Sequence, residues 1–147
     1  IILILSALVF ASCLNEASAA DINCESTKTY HWVYGATWHT CSMHKTKIDT
    51  ADVRIGNRDE SIQALAFNHN IKVFYLPIFP AEKFPNLEAI HAGNCNVKEI
   101  SKDNFDGLTK LRYIHLVDNN LKKIPGNTFE GLESIETIYL SNFSILS

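Results

Sequence analysis

The chain repeats a pattern of large apolar residues every 24 positions, and this period limits its possible folds more than any other feature. Between residues 108 and 131 the steps between large apolar residues are three, three, two, five, three and five. A helix would repeat every 3.6 residues and a strand every 2, and the pattern matches neither. Phe84, Leu108 and Leu132 begin successive units of this period. A repeat of this length predicts a solenoid in which neighbouring coils share one core.

Each unit is predicted to contain one short strand and one turn. Ile114 and Leu116 alternate, which places both side chains on one face of a strand. Asn119 follows where the chain leaves the strand, and its amide can bond backbone groups of neighbouring coils that the turn leaves unpaired. The later apolar positions are predicted to point into the same core from the convex side: Leu121, Ile124 and Phe129.

This unit resembles the signature of leucine-rich repeats, L-x-x-L-x-L-x-x-N-x-L. The matching residues are Leu111, Ile114, Leu116, Asn119 and Leu121. The 24-residue form, with "EGL" at 130–132, is similar to the extracellular class found in animal receptors and secreted proteins. The resemblance implies an α/β-type solenoid, a horseshoe segment with a parallel sheet on its concave side. It covers roughly residues 62–147, about three to four coils, and residues 62–83 fit only with one extra residue.

Three positions depart from the repeat pattern. Ala92 replaces a large strand residue, and Cys95 and Phe143 stand where the pattern has asparagine. Cysteine is an accepted alternative at that position, whereas Phe143 departs more strongly. At the same period the last unit would run to about residue 155, so we expect the natural protein to continue beyond Ser147.

The first twenty residues, "IILILSALVFASCLNEASAA", are typical of a secretory signal peptide. Their apolar run is shorter than the roughly 20 residues that a membrane span requires. We therefore predict a signal peptide over residues 1–20, a secreted mature protein, and no membrane insertion of the mature segment. A bacterial lipoprotein signal ending at Cys13 is an alternative, which fits less well because Phe10 stands three residues before the cysteine.

Residues 21–61 are predicted to form an N-terminal cap. Cys24 and Cys41 bracket alternating aromatic and polar residues, which predicts a β-hairpin that pairs Tyr30–Tyr34 with Thr37–Cys41. In an oxidising compartment the two cysteines are predicted to form a disulfide. The resemblance agrees, because the family often has a cysteine-stapled hairpin at this end.

Two further expectations concern the core. Trp32, Val33 and Trp38 are predicted to cover its first edge at the cap. Cys95 is predicted to be a buried thiol, with an intermolecular bridge as the alternative.

The outward residues of the short strands are the candidate ligand-binding residues. Adjacent strands lie about 4.8 Å apart, so residues one repeat apart should form columns across the concave sheet. One column contains two histidines and a tyrosine, and a second has alternating charge. Aromatic and arginine side chains are typical of binding surfaces, although ordinary solvated positions explain the same pattern. The candidate residues are Glu88, His91, Arg112, Tyr113, His115, Glu136 and Tyr139.

Metal binding and catalysis find little support. His91 beside His115 lacks a third ligand, and the cluster of His39, Cys41 and His44 loses Cys41 to the predicted disulfide. No phosphate-binding glycine loop, nucleophile elbow or HExxH motif occurs. We therefore predict no metal, no cofactor and no enzymatic activity. A secreted hydrolase that uses Cys41 with a neighbouring histidine remains a third hypothesis.

Composition and resemblance together predict the partners. The net charge is −3 and no basic patch is present, which argues against nucleic acid. The resemblance implies a module that binds a protein or cell-surface glycan, with possible oligomerisation through the repeats. The cap and "KFPNLEAIHAGNC" are similar to secreted insect repeat proteins, some associated with innate immunity. The alternative is the N-terminal part of a membrane-anchored receptor ectodomain.

One sequon, Asn142-Phe143-Ser144, predicts a glycan near the concave rim.

Overall fold

A computed structural model describes residues 20–22, 24, 26–31, 36–43, 47–48, 53–55, 59–67 and 72–140. In this part the chain forms ten short strands. Their bounds are Ala20–Ile22 (β1), Ser26–His31 (β2), Thr37–Met43 (β3), Lys47–Ile48 (β4), Val53–Ile55 (β5), Ala64–Phe67 (β6), Lys72–Val73 (β7), Ala89–His91 (β8), Tyr113–His115 (β9) and Thr137–Tyr139 (β10). One 3₁₀ turn spans Lys102–Asn104. No helix in the described segments is long and apolar enough to cross a membrane.

Six strands form one sheet in the order β10-β9-β8-β6-β3-β2. From β3 to β10 every neighbouring pair is parallel, and each strand is one repeat further along the chain. Parallel neighbours need a long connection between them, which the remainder of each coil provides. The result is a solenoid of about three turns, which confirms the predicted fold. We name residues 59–83 coil 1, 84–107 coil 2 and 108–131 coil 3.

The extra residue of coil 1 can be located from the strand register. Ala66 pairs with His91, 25 residues later. Further along the same coil Tyr75 bridges Glu99, which is 24 residues later. The additional residue therefore lies between Ala66 and Tyr75, as the poor fit of this segment to the repeat predicted.

A continuous apolar core separates the concave sheet from the convex side. The central strand residues Leu65, Ile90 and Ile114 are at most 1% exposed, because alternate residues of each strand face inward. Leu76 and Ile100 reach the same core from the convex side and are also buried. Leu116 and Leu121 of coil 3 are buried, and Ile124 and Phe129 pack against the core, as predicted.

Asn119 joins coil 3 to coil 2 through its buried side chain. Its Oδ1 accepts the N–H groups of Cys95 at 3.1 Å and Val97 at 2.9 Å. Its Nδ2 donates to the carbonyl oxygens of Ala92 at 2.7 Å and Leu116 at 2.9 Å. The side chain thus satisfies backbone groups of two coils at the turn, which confirms the role predicted for it.

Cys95 is a free thiol with no exposed surface, as predicted. Burial raises the pKa of this thiol to about 11, because a low-dielectric environment disfavours the thiolate. The neutral thiol donates instead to the carbonyl oxygen of Gly93, with Sγ and O 3.2 Å apart.

The cap contains the predicted hairpin and disulfide, but the register of the hairpin is different. Cys24 and Cys41 are bonded across 17 residues. Strand β2 pairs antiparallel with β3 and places Tyr30 opposite Trp38, whereas the predicted pairing of Tyr30–Tyr34 with Thr37–Cys41 would place Tyr30 opposite Cys41. The predicted register is therefore wrong by three residues. The alternating pattern identifies the strands, but the register also depends on the turn between them, which the pattern does not specify.

The predicted role of Trp38 is also wrong. Cys41 faces the core, and Trp38, three residues earlier in the same strand, therefore faces the concave side. Trp38 is 2% exposed and packs with Ala64 and Ala89 of the neighbouring strands, apart from the main core. Trp32 and Val33, the other two residues predicted to cover the edge of the core, lie outside the described residues.

Candidate functional site

Three rings cross the concave sheet in the predicted column, which we call the ring column: His91, His115 and Tyr139. They occupy the same register position in β8, β9 and β10. The imidazole rings of His91 and His115 are stacked, with centroids 4.4 Å apart and planes inclined by 13°. The centroid of Tyr139 lies 5.7 Å from that of His115 at an angle of 39°. Tyr139 is 38% exposed, so the column presents an aromatic face to solvent at its C-terminal end.

The position of His115 depends on Gly93. A Cβ atom at residue 93 would lie 2.7 Å from Nδ1 and 2.8 Å from Cε1 of His115. These distances are shorter than van der Waals contact, so the imidazole can occupy its place only because residue 93 has no side chain. One repeat later the residue equivalent to Gly93 is Val117, and the residue equivalent to His115 is Tyr139. The Tyr139 side chain is more exposed than that of His115.

A second row runs beside the ring column, and we call it the polar ladder: Gln63, Glu88, Arg112 and Glu136. Arg112 joins both predicted carboxylate partners, with Nε 2.7 Å from Glu136 Oε1 and Nη1 3.1 Å from Glu88 Oε2. The backbones of these residues also pair, since Arg112 N–H donates to the Glu88 carbonyl and Glu136 N–H to that of Arg112. The alternating charges of the sequence therefore meet as ion pairs.

The polar ladder continues toward the cap. Gln63 Nε2 donates to Glu88 Oε1 at 3.3 Å, and Gln63 Oε1 accepts the backbone N–H of His39 at 3.2 Å. Trp38 Nε1 donates to Glu88 Oε2 at 3.2 Å. A single row of hydrogen bonds thus runs from β3 to the start of β10.

Tyr113 connects the polar ladder to the aromatic side chains of the concave face. Its hydroxyl donates to Glu136 Oε2 at 2.6 Å, and its ring centroid lies 5.2 Å from that of Trp38. Both carboxylate oxygens of Glu136 are therefore bonded, one to Arg112 and one to Tyr113. This bonding fixes the side chains before any ligand arrives, which lowers the entropic cost of binding.

The hydrogen bonds shift the titration of this group of residues. The bonds to Arg112 and Tyr113 hold the pKa of Glu136 below its ordinary value. The bond to Glu136 raises the pKa of Tyr113, because loss of the phenolic proton would place two negative charges together. Glu136 therefore stays charged and Tyr113 stays protonated around neutral pH.

The two halves of the concave face differ in the size of their side chains. On the cap side, positions 64, 66 and 89 are alanines and Trp38 covers two of them. Thr40 and Ser42, which also face this side, are buried. On the other side, β9 and β10 present two tyrosines and a histidine. The surface that a ligand can reach therefore lies over β8, β9 and β10.

The predicted candidate residues are brought together as two adjacent columns with Tyr113 between them, and their role in ligand binding stays a prediction. Asn142 and His44 lie outside the described residues. Cys41 forms the disulfide, so it has no free thiol for a metal or for catalysis. No cluster of three or more potential metal ligands occurs among the residues that the structure describes.

Sequence reasoning missed the roles of three residues of this face: Trp38, Gln63 and Gly93. Gly93 is the residue that leaves room for the imidazole of His115. Gln63 could have been found, since it stands one repeat before Glu88 once the extra residue of coil 1 is counted. Gly93 gave a weaker signal, namely a glycine where the next coil has valine.

Comparison with known proteins is consistent with this architecture. A family model described as leucine rich repeat matches residues 85–144, which include β8, β9 and β10. Comparison with curated proteins gives no significant match. The family match and the solenoid support a leucine-rich repeat protein, and such repeats are typically protein-interaction modules without enzymatic activity.

Proposed function

We propose that this chain, which resembles leucine-rich repeat proteins, is a secreted interaction module that binds a protein or a cell-surface glycan on its concave face over β8, β9 and β10. The observation that carries the proposal is the ring column beside the internally bonded polar ladder. The core needs neither row, because the side chains of both project from the opposite face of the sheet.

The chemistry of the two rows suits recognition rather than catalysis. Tyr139 and the stacked imidazoles offer apolar ring faces with polar edges, which bury area at a low entropic cost. Arg112 and its carboxylate partners border the rings with fixed charge, which gives specificity through complementary charges on the ligand.

The disulfide supports secretion. Disulfides form and persist in oxidising compartments, and Cys24–Cys41 is a disulfide within the cap whose Cys41 faces the core. The predicted signal peptide over residues 1–20 agrees with this compartment. An immune or receptor-like setting is proposed on the resemblance to secreted insect repeat proteins alone.

The test uses the full chain, expressed in secreting animal cells and recovered from the medium. A photo-crosslinking amino acid replaces Tyr139 in one sample and Glu130, an exposed convex residue, in the other. We expect a discrete crosslinked partner on the cell surface or in the extracellular fluid from position 139 and none from position 130. Retention of the chain in the cytosol would contradict secretion, and equal crosslinking from both positions would contradict the concave site.

Alanine substitutions then measure the contribution of the rings to binding of the crosslinked partner. Tyr139→Ala and His115→Ala should each weaken binding by about 2 kcal/mol, roughly thirtyfold, if the rings are central contacts. Lys122→Ala, at an exposed position outside the sheet, is the matched control and should bind as the parent chain does. Unfolding midpoints should stay close to that of the parent for all three, because these side chains lie outside the main core.

A further inference from the structure

A second surface lies on the convex side, in a groove of about 250 Å³ between coils 1 and 2. Its floor is apolar, because Leu76 and Ile100 are nearly fully buried beneath it. Tyr75 and Ile78 form one wall, and the other is formed by Glu99, Ser101, Asp103 and Asn104. The volume is below the roughly 300 Å³ at which pockets for drug-sized ligands begin, and it suits one or two side chains of a peptide.

The two walls are held at a fixed separation by Asn104. Its Nδ2 donates across the groove to the carbonyl oxygen of Leu76 at 2.6 Å, and its Oδ1 accepts the N–H of Ser101 on its own wall at 2.7 Å. The side chain is 6% exposed, so water competes little for these bonds. A groove fixed in this way does not need to be ordered by its ligand.

Ile78 is the most exposed large apolar residue of the described part, at 45%. The repeat itself shows that the fold does not require an apolar residue there. One repeat later the position is occupied by Lys102, which forms an ion pair with Asp106 instead. Ile78 thus exposes apolar surface at the groove, whereas the next coil has a charged residue at the equivalent position.

The groove is also acidic. Glu99 and Asp103 line it, and no lysine or arginine does. Neither carboxylate forms an ion pair within the described residues. The lysines next to them in sequence are occupied elsewhere, Lys98 over the ring of Phe74 at 4.1 Å and Lys102 with Asp106 at 3.3 Å.

The acidic pair is again specific to this groove. One repeat later Glu99 is replaced by Lys123 and Asp103 by Asn127, and coil 3 closes with the same backbone turn. The fold therefore requires neither carboxylate, and the equivalent positions of coil 3 carry a cation and a neutral amide.

We propose that this convex groove binds an extended peptide segment of a partner protein, in which an apolar side chain is flanked by lysine or arginine. The apolar side chain lies on Leu76 and Ile100 beside Ile78, and the flanking cations pair with Glu99 and Asp103. The site is separate from the concave face, so it gives the protein a second contact with the same or another partner.

The test follows the amide signals of the ¹⁵N-labelled full chain by NMR while a probe peptide is added. The probe is acetyl-Gly-Lys-Leu-Lys-Gly-amide, and the two controls replace both lysines by glutamate or the leucine by glycine. We expect saturable shifts at residues 76, 78, 100 and 101 with the probe, and affinities at least about fivefold lower for each control. The absence of saturable shifts at millimolar probe, or equal affinity for the glutamate control, would overturn the proposal.

Variants taken from the repeat itself complete the test. The triple variant Ile78→Lys, Glu99→Lys and Asp103→Asn gives the groove the residues of the next coil and should weaken probe binding about tenfold or more. Glu130→Lys, a charge change of the same sign elsewhere on the surface, should leave it unchanged. Should the triple variant unfold, Asp103→Asn alone decides, with about threefold weakening expected. Unchanged probe affinity in the deciding variant would contradict the convex site. Tyr139→Ala changes only the concave face, so it should bind the probe normally whether or not the concave proposal holds.

Discussion

Coils 2 and 3 have the same length and the same register, yet they use different atoms to bond the backbone of the preceding coil at its turn. Between coils 2 and 3, the N–H of Val97 donates to the side-chain oxygen of Asn119 at 2.9 Å. One repeat earlier the N–H of Val73 donates to the backbone carbonyl of Cys95 at 2.8 Å. The repeat thus determines which backbone groups need a partner, while each coil supplies that partner in its own way. Coils of the same shape therefore need not contribute equally to stability.

A second difference lies on the convex side. In coil 2, Asn104 accepts the N–H of Ser101 and donates to the preceding coil. In coil 3 the corresponding residues are Thr128 and Pro125, and proline has no N–H to donate. The hydroxyl of Thr128 is buried and has no hydrogen-bond partner among the described residues. A buried polar group left unpaired costs stability, so this position is a weak point of coil 3.

The largest effect is expected from Asn119→Ala. The substitution leaves the N–H groups of Cys95 and Val97 and the carbonyl groups of Ala92 and Leu116 without their partner in the buried turn. We expect the free energy of unfolding to fall by about 3–5 kcal/mol, measured by urea denaturation.

Two controls sharpen this first prediction. Cys95→Ala removes the residue at the corresponding position of coil 2 and should cost only about 1–2 kcal/mol, because the backbone carbonyl that serves Val73 is retained. Asn120→Ala removes an exposed neighbour of Asn119 that bonds the side chain of Asn96, and should cost less than about 1 kcal/mol. Equal losses for Asn119→Ala and Cys95→Ala would contradict the difference between the two turns.

An intermediate effect is expected from Gly93→Ala. The new methyl group would displace the imidazole of His115, and we expect a loss of about 1–3 kcal/mol together with altered NMR shifts of both stacked histidines. Gly126→Ala is the matched control, because no atom lies within 4 Å of the added carbon, and it should be neutral or stabilising by up to about 1 kcal/mol. The double variant Gly93→Ala, His115→Ala should recover most of the loss. No recovery would show that the clash does not involve the imidazole.

The smallest effect is expected from giving coil 3 the pair of residues found in coil 2. Thr128→Asn alone supplies an acceptor with no N–H to receive, and Pro125→Ser alone supplies an N–H without the asparagine amide oxygen that Ser101 has in coil 2. We expect the double variant to be about 1 kcal/mol more stable than the sum of the two single effects predicts. A double-mutant cycle by urea denaturation measures this coupling. Simple additivity would mean that Asn104 and Ser101 do not act as a unit in coil 2.

The parts of the structure that follow from the repeat could be predicted from the sequence. The ring column and the pairing of Arg112 with Glu88 and Glu136 require only that residues one period apart be neighbours. Asn119 was predictable for the same reason, because its position in the unit determines which backbone groups it meets.

The parts that escaped prediction depend on contacts outside the repeat. The register of the hairpin is set by pairing and by a connection whose length the alternating pattern does not encode. Trp38 was predicted to cover the first edge of the core, although alternation from the core-facing Cys41 puts it on the other face. Asn104 gave no signal of its own, because coil 3 has threonine at that position.

The bonds of Asn119 have a direction along the chain that bears on synthesis. The amides it caps belong to residues 95 and 97, more than twenty positions upstream. A ribosome releases residues from the N-terminus onward, so this bend stays incomplete until about one further period has left the exit tunnel. Folding during translation should therefore lag behind elongation by about one coil at this junction, because coil 2 is completed only after coil 3 has been synthesised.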